Sequence, residues 1–355
     1  MAGAGQPWYM PLTWPVGHVL NAVQLKETTK ATKPKATPDL DLIGHLTSFA
    51  AAMRSFAIAV CIITVLHDDE KNPYPAYGPA SEFKSEWILP LVTRNLLATW
   101  AICGFWDWFL YFSPLKEKLH KFKLNPKYPS FSQMKHDAFW TTIATLCASG
   151  IEIMLCHLWA TGRLNMSHDL WSPSTLLWAI TITHWRVPHF WVIHRSMHPW
   201  KLKGIPDIGK FLYRHVHSLH HKSYNPTAFS GTNMHPVEST LYYSAALIPV
   251  MFGTHPTIPL GCLVDCAVGA WLGHDGFQFP GSGDYFHQLH HAHFDCNYGA
   301  MHFPMVRRFF LFVLSLLYIS IFHTLRINGL GHMLDQKRMY VRYGERRKSR
   351  SIIFV

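Results

Sequence analysis

Three short histidine-rich segments are the part of this sequence most able to do chemistry. HRSMH places His194 and His198 four residues apart, whereas HSLHH (residues 217–221) and HQLHH (residues 287–291) each place three imidazoles at i, i+3 and i+4. Residues three and four apart lie on one face of a helix, so each segment can present its imidazoles to a single site. Neutral imidazole binds zinc, copper, iron and nickel, so the spacing predicts a metal site without choosing the metal.

The number of imidazoles predicts more than one metal ion. The three segments together hold eight histidines, and His274 in GHDG adds another, which is more than one ion accepts. In each HxxHH segment the two adjacent histidines can diverge toward two neighbouring ions. For His235 in MHPVE the sequence favours neither ligation nor a structural role, and both interpretations stay open.

Apolar segments must position these ligands. The chain has 355 residues, of which 49% are hydrophobic and 15% are charged. A helix needs about 20 mostly apolar residues to cross the hydrocarbon core of a membrane. Four segments are long enough and are predicted to cross it, namely residues 46–66, 87–113, 137–160 and 171–193.

The charges in the loops predict the orientation. The loop 114–136 carries one glutamate and six lysines, whereas residues 67–86 carry five acids and two lysines. By the positive-inside rule the loop 114–136 is cytosolic, and the histidine-rich segments share its side. No nucleic-acid-binding motif accompanies the net charge of +11, so anionic lipid or an acidic partner is favoured over nucleic acid.

The region between the second and third histidine-rich segments decides whether the ligands can meet. Residues 239–272 contain two apolar runs, each too short for a full crossing, with the helix-breaking GTHP between them. Such a hairpin returns the chain to the side that it left, which a shared site requires. The predicted fold class is therefore an all-α integral membrane protein with about four transmembrane helices, a re-entrant or short hairpin, and a cytosolic, helical, histidine-rich cap that holds two metals.

A known family shares this pattern. The segments HRSMH, HSLHH, HPVE, HDG and HQLHH, followed by NYG, resemble in order and spacing the fatty acid hydroxylase superfamily of membrane di-iron enzymes. Within that superfamily they are most similar to the sterol desaturase branch. The resemblance extends from Trp171 to Met305, and the chain departs from the family pattern after Met305.

The resemblance implies a cofactor, a ligand set and a reaction. It implies two iron ions with dioxygen as co-substrate, and the ligands it implies are His194, His198, His217, His220, His221, His274, His287, His290 and His291. Reduced dioxygen would remove a hydrogen from an unactivated C–H bond, and the resulting radical would be hydroxylated or would lose a second hydrogen to give an alkene. The apolar helices would bring the lipid to the metals from the membrane side.

The remaining polar residues of this region have weaker predictions. His189, His215 and His293 lie next to predicted ligands but out of register, so they are expected to support ligands or to pack. If residues 211–221 form one helix, His215 lies about 200° from His217 and points away from the metals. Asn297 and Tyr298 could orient the last segment, and a turn-forming role is equally compatible with the sequence.

Four parts of the chain are predicted. Residues 1–45 form a flexible arm that lacks the pattern of a cleaved signal peptide, and residues 46–160 contain spans one to three. Residues 171–305 form the catalytic domain, and residues 306–355 form an atypical tail, apolar and then basic. The seven cysteines lie mostly in apolar runs without a CxxC pair, which predicts core positions and no disulfide framework.

The predicted function is that of an oxygenase of the endoplasmic reticulum membrane. It hydroxylates or desaturates a sterol or related lipid, and a b-type cytochrome or its reductase supplies electrons, with the lysine-rich loop as a docking surface. A fatty-acyl or sphingolipid hydroxylase is the alternative among enzymes. The alternative from another class is a non-catalytic metal or haem transport protein, whose ligands should line a path through several spans.

The lysine asymmetry makes the topology testable. Cysteines introduced singly at Lys121 and Lys222 should both react with a membrane-impermeant maleimide added from the cytosolic side, whereas a cysteine at Ser81 should be shielded. The measurement is labelling in sealed microsomes before and after detergent. Labelling of Lys121 and Lys222 positions from opposite sides would show that the count of four spans is wrong.

Overall fold

A computed structural model describes residues 38–66, 68, 70–74, 78–200, 204, 206–279, 284–294 and 298–300. For residues 38–44, 284–285 and 292–293 it describes the backbone alone. The first 37 residues of the predicted arm, Asn297 and the predicted tail 306–355 lie outside the described residues.

The described chain is helical, and within it the only β-type pairing is one isolated antiparallel bridge between Lys123 and Phe277. The longer helices are α1 (Pro38–Val65), α2 (Ser85–Asp107), α3 (Phe131–Ala160), α4 (Pro173–Ile180), α5 (Ile182–Ser196), α6 (Ile208–His215), α7 (Pro236–Tyr243), α8 (Thr257–Leu272) and α9 (Asp284–His293). Shorter helical turns occupy Pro79–Ser81, Trp108–Phe112, Lys116–Leu119, His120–Phe122, His217–Lys222, Ala228–Thr232, Ser244–Ala246 and Leu247–Val250.

Within the described residues, three helices are long and apolar enough to cross a membrane. They are His45–Val65 in α1, Ser85–Phe112, in which a π-helical turn extends α2, and Phe131–Ala160, which is α3. These helices coincide with the first three predicted spans. The fourth predicted span, residues 171–193, forms the two helices α4 and α5, and α8 is a shorter apolar helix. The fourth crossing and the re-entrant hairpin stay predictions.

Thr181 separates α4 from α5. Its hydroxyl donates to the carbonyl of Leu177 at 2.8 Å, and a threonine that bonds back to the preceding turn in this way weakens or bends a helix. After this break α5 ends at Ser196, next to the first pair of predicted ligands.

The predicted spans and the predicted catalytic segment share one hydrophobic core. Helix α8 makes its most extensive contact with α1, and the buried side chains of this cluster include Ala52 and Phe56 of α1, Ile182 of α5, and Cys262 of α8. Between helices in a membrane such side chains stabilise the packing mainly through van der Waals contact. The predicted boundaries at 46–160 and 171–305 therefore divide helices that pack together, and as domain boundaries they stay predictions.

The arginines inside the first two predicted spans are paired with buried carboxylates. Arg94 of α2 donates to Glu152 of α3 at 2.5 Å, and the same carboxylate accepts from Asn95 at 2.8 Å and from the hydroxyl of Tyr74 at 2.6 Å. Glu152 is 2% exposed, so these donors replace the water that its carboxylate lacks. Arg54, the other arginine of the first two predicted spans, lies 3.9 Å from Asp265 of α8.

The pairing of Arg94 with Glu152 should stabilise the contact between α2 and α3. Glu152→Ala should lower the free energy of unfolding by about 3–5 kcal/mol, because it leaves a buried guanidinium without its carboxylate. The double variant Arg94→Leu/Glu152→Gln removes both charges and keeps an acceptor for Asn95 and Tyr74, so it should recover most of that loss. Thermal unfolding in one detergent measures both, and an unchanged melting temperature for Glu152→Ala would contradict the prediction.

Candidate metal centre

The predicted ligands form two adjacent clusters of buried imidazoles. The first cluster contains His194, His198, His217, His221 and His290, and the second contains His220, His274, His287 and His291. Within each cluster the candidate ligand atoms all lie within 4.8 Å of one another. All nine histidines that the family resemblance implies are thus present in the two clusters.

Several elements that are far apart in sequence contribute to each cluster. His194 lies in the last turn of α5 and His198 follows that helix, the turn His217–Lys222 carries three imidazoles, and α9 carries three more. In each HxxHH segment the adjacent pair divides between the clusters, because His220 and His221 point to different groups, as do His290 and His291. His274 follows the end of α8 and joins the second cluster.

Two glycines allow the ligand-bearing segments to approach each other. A Cβ on Gly209 of α6 would lie 2.1 Å from the carbonyl oxygen of His198. Gly276, two residues after His274, has φ +79°, and a Cβ there would lie 2.6 Å from both the carbonyl oxygen of Pro226 and the hydroxyl of Tyr111. Only glycine adopts this conformation without strain while leaving that space.

The predicted continuous helix over residues 211–221 is wrong. Helix α6 ends at His215, Val216 has φ −124° and ψ −70°, and His217–Lys222 forms a tighter 3-10 turn. The three imidazoles of this segment do not all face one way. This geometry assigns His217 and His221 to the first cluster and His220 to the second.

Oxygen acceptors orient four of the imidazoles. Nδ1 of His194 donates to the carbonyl of Tyr298 at 2.7 Å, and Nδ1 of His217 donates to Glu238 Oε1 at 2.7 Å. In the second cluster, Nδ1 of His274 donates to the carbonyl of Ala270 at 2.7 Å. Nδ1 of His220 donates to the carbonyl of Asn233 at 3.3 Å. A neutral imidazole that donates from Nδ1 carries its lone pair on Nε2.

These lone pairs face each other. Nε2 of His194 lies 3.0 Å from Nε2 of His217, and Nε2 of His274 lies 3.2 Å from Nε2 of His220. Two such nitrogens at hydrogen-bond distance have no proton between them, so each contact is repulsive unless a cation lies beside both. The same contact occurs once in each cluster, which means that each cluster requires its own positive charge.

The distances between the nitrogens fit a metal ion. Metal–nitrogen bonds of about 2.1 Å at right angles put two ligands about 3.0 Å apart, and tetrahedral angles put them about 3.4 Å apart. The observed separations run from 3.0 Å, between His221 and His217, to 3.3 Å, between His291 and His274. In addition, both ring nitrogens of His198 and Nε2 of His287 are buried without a hydrogen-bond partner among the described residues, as expected of nitrogens that bind a metal.

Burial keeps the imidazoles uncharged. It lowers the pKa of His217, His220 and His221 well below the ordinary value, and the neighbouring imidazoles lower it further. Burial also lowers the pKa of His274 to about 4. Metal binding requires deprotonated ligands, so at neutral pH these imidazoles do not have to release protons before they bind a metal.

Asp137 supports the second histidine-rich segment from α3. This fully buried carboxylate accepts from the hydroxyl of Ser223 at 2.8 Å, from the hydroxyl of Ser230 at 2.7 Å and from the amide of Asn233 at 2.9 Å. Ser223 follows the His220–His221 pair, and the carbonyl of Asn233 orients His220. Asp137 therefore holds both sides of the loop that positions this pair.

The other predicted site residues lie outside the clusters. His235 caps α7, where its Nδ1 accepts from the backbone N–H of Val237 at 3.2 Å, and it belongs to neither cluster. His189 contacts the hydroxyl of Ser244 at 3.1 Å, and the ring of His215 lies tilted against that of Phe211 with 4.6 Å between the centroids. Tyr298 contacts the first cluster through both its carbonyl and its ring. The side chain of His293, like Asn297, lies outside the described part of the chain.

Three supporting residues are not apparent from the histidine spacing, namely Glu238, Asn233 and Asp137. Glu238 is 3% exposed, and burial raises the pKa of its carboxyl well above the usual range. Its position in the HPVE segment was a usable signal, because a carboxylate near histidines commonly accepts from a metal ligand. Asp137 and Asn233 gave no local signal, since their role depends on contacts over about a hundred residues.

A cavity of about 480 Å³ adjoins both clusters. His194 and His217 of the first cluster and His220, His274 and His287 of the second line it. Its other walls are mostly apolar and include Phe190, Met234, Phe279 and Phe286, and residues 47–51 of α1 contribute one side. A cavity of this size and lining suits a lipid-sized ligand.

The comparisons with known proteins agree with this architecture. The family described as Fatty acid hydroxylase matches residues 176–312, which include every histidine of the two clusters. The chain belongs to the fatty acid hydroxylase superfamily. Its sterol-modifying relatives assign it to the sterol desaturase branch of that superfamily.

Three relatives illustrate the range of this branch. An Arabidopsis thaliana protein named as a Delta(7)-sterol-C5(6)-desaturase is 25% identical over 241 residues, which are 64% of this chain and 80% of the relative. Lathosterol oxidase of Rattus norvegicus is 33% identical over 31% of this chain and 36% of the relative. Human cholesterol 25-hydroxylase is 25% identical over 60% of this chain and 74% of the relative. No solved structure matches the chain significantly.

Glu238 should contribute to metal retention through His217. Glu238→Ala removes the acceptor of the His217 Nδ1–H and should reduce metal affinity or activity about 10- to 100-fold, whereas Glu238→Gln keeps an acceptor and should lose less. Metal per chain after dialysis against a chelator, measured by mass spectrometry, reports the effect. Glu117→Gln, at an exposed carboxylate, is the matched control, and wild-type metal retention by Glu238→Ala would refute the assignment.

Proposed function

We propose that the protein is a membrane oxygenase in which two iron ions use dioxygen to hydroxylate or desaturate a sterol or related lipid. The observation that carries the proposal is the cavity shared by two histidine clusters, each with imidazole lone pairs that require a cation. Imidazole ligands accommodate iron, and membership of the fatty acid hydroxylase superfamily favours iron over the other metals.

The nine clustered histidines would hold the two ions. Bound iron would supply the reduction of dioxygen and the removal of hydrogen from an unactivated C–H bond. The chain itself orients the ligands: Glu238, the carbonyls of Asn233, Ala270 and Tyr298, and, through Asn233, Asp137 hold the rings in place. Rigid ligands of this kind keep the metals from rearranging during turnover.

The cavity would select and orient the lipid. Its apolar walls exclude water from the C–H bond that reacts, and exclusion of water protects a reactive oxidant from side reactions. Phe190 stacks on His194 with 5.0 Å between the ring centroids, and its ring also contacts Tyr242. The substrate would therefore contact an aromatic wall directly beside a metal ligand.

The loop 114–136 supports an acidic electron donor, proposed as a b-type cytochrome or its reductase. Lys118, Lys121 and Lys127 are exposed, and Glu117 is the single acid of this loop. The loop is also connected to the second cluster, because the N–H of Leu124 donates to the carbonyl of Gly276 at 3.0 Å, two residues after His274. Complementary charge of this kind accelerates docking of an acidic protein.

The proposal includes a location in the endoplasmic reticulum membrane, with four spans and the two histidine clusters on the cytosolic side. The lysine-rich loop supports this side, and the three apolar helices support insertion. The predicted parts 46–160 and 171–305 would then be the membrane anchor and the catalytic domain, with 306–355 as an additional tail. A fatty-acyl or sphingolipid hydroxylase stays the alternative substrate assignment.

A non-catalytic metal or haem transporter is disfavoured by the arrangement of the ligands. In the part of the chain that the structure describes, the groups of possible metal ligands are the two adjacent clusters, and none lies between α1, α2 and α3. A transporter needs successive sites along a path through the membrane.

Metal content and lipid product together test the proposal. Purified wild-type protein should contain about two iron ions per chain and should form an oxidised lipid only when dioxygen is present. His220→Ala should abolish the product and lower the metal content, because the neighbouring imidazoles are held in other directions and cannot replace the missing ligand. His215→Ala is the matched control, since its ring is exposed on α6, and it should retain most of both.

The assay is mass spectrometry of metals and lipids in one membrane preparation. A single metal ion per chain in active protein would exclude the two-metal mechanism. Two bound metals without any dioxygen-dependent lipid product would favour the non-catalytic alternative, and a fatty-acyl or sphingolipid product would replace the sterol assignment.

A further inference from the structure

One face of α5 presents three side chains of different chemistry to the cavity. Arg186, Phe190 and His194 follow each other at i, i+4 and i+8, so they form a stripe on one side of the helix, and all three line the cavity. Eight residues at 1.5 Å per residue separate Arg186 from His194 by about 12 Å along the helix axis. The cavity therefore has a charged end and a metal-ligand end with an aromatic ring between them.

Arg186 is buried and has donors to spare. It is 8% exposed, and within the described residues its guanidinium makes one hydrogen bond, from Nε to Asp265. A guanidinium carries five N–H donors, so those of Nη1 and Nη2 remain. Gly269 lines the same end of the cavity, and a Cβ there would lie 3.1 Å from Nη2 of Arg186, so a glycine keeps the space beside this group open.

Positive charge exceeds negative charge around Asp265. The carboxylate is shared by Arg186 and by Arg54, whose Nη2 lies 3.9 Å away, and it also accepts from the hydroxyl of Ser55 at 3.1 Å. Two guanidiniums thus share one carboxylate in an apolar environment. A buried cation that is incompletely compensated favours a further acceptor oxygen.

We propose that Arg186 is the anchor for the polar end of the lipid substrate. The geometry points to a lipid with an acceptor oxygen, a hydroxyl or a carboxylate, that binds Arg186 while a carbon about 12 Å away lies beside His194. The carbon that is oxidised is then remote from the polar group. The second half of this inference rests on the proposed function, whereas the binding of the oxygen does not.

Binding measurements on intact protein test the anchor without turnover. The probes are cholesterol, cholestene, which lacks the hydroxyl oxygen, and oleate, each radiolabelled and titrated into the wild-type protein in detergent micelles. Cholesterol, oleate or both should bind at least about tenfold more tightly than cholestene, since a hydrogen bond to a charged group is worth about that factor. Preference for cholesterol identifies a hydroxyl as the anchored group, and preference for oleate identifies a carboxylate.

The variants separate the anchor from folding. Arg186→Gln alone leaves Asp265 short of a partner, so the main test is Arg186→Gln/Asp265→Asn, which removes both charges and keeps hydrogen-bonding groups. This variant should lose the preference for the oxygenated probe while its metal content stays unchanged. Gly269→Ala should weaken the same preference by displacing the guanidinium. Arg54→Gln removes the second guanidinium from Asp265 but leaves the Nη donors of Arg186 in the cavity, so it should weaken the preference less than the double variant does.

Three results would overturn the anchor: wild-type affinity that is equal for cholestene and the oxygenated probes, no binding of either oxygenated probe, or an unchanged preference in the double variant. An Arg186-dependent preference in a protein that never forms a dioxygen-dependent product would refute the proposed function and leave the anchor in place. An oxidised carbon adjacent to the polar group in the product would refute the placement of that carbon beside His194.

Discussion

Imidazole lone pairs that face each other in a buried site are the constraint on which this structure depends. In each cluster two histidines donate from Nδ1 to an oxygen, and their Nε2 atoms meet at 3.0 Å or 3.2 Å with no proton to share. Without a cation, burying these imidazoles would cost solvation free energy, and the facing Nε2 atoms would repel each other. The surrounding hydrogen bonds fix the direction of each lone pair.

The residues that make these hydrogen bonds, or that hold their acceptors in place, come from several helices. Asp137 connects α3 to the loop that follows His221, and Glu238 connects α7 to His217. Buried carboxylates recur in this role because a carboxylate accepts several hydrogen bonds at once and holds segments that are distant in sequence. Glu152 and Asp265 do the same for arginines inside the helices. Polar pairing thus determines how the apolar helices are placed around the metal centre.

The cavity connects this polar framework with the membrane. One side is made by α1, a candidate membrane-spanning helix, and another by the ligand-bearing turn and helices. A lipid bound there exchanges the hydrocarbon of the bilayer for an apolar wall of similar polarity, so little hydrophobic energy is gained by binding. Specificity must then come from the few polar groups at the ends of the cavity, which are the most informative residues for the choice of substrate.

The sequence by itself determined the ligand types, their grouping in short segments, the family and three apolar helices, because these properties depend on local spacing and composition. Only the tertiary structure decided which imidazoles share a cluster: His217 and His221 belong to one and His220 to the other, although all three lie in the same short turn. It also separated His235, a helix cap, from the clusters, and revealed Asp137, Glu238 and Arg186 as neighbours of the site. The direction of a side chain depends on packing between distant segments, and no local pattern contains that information.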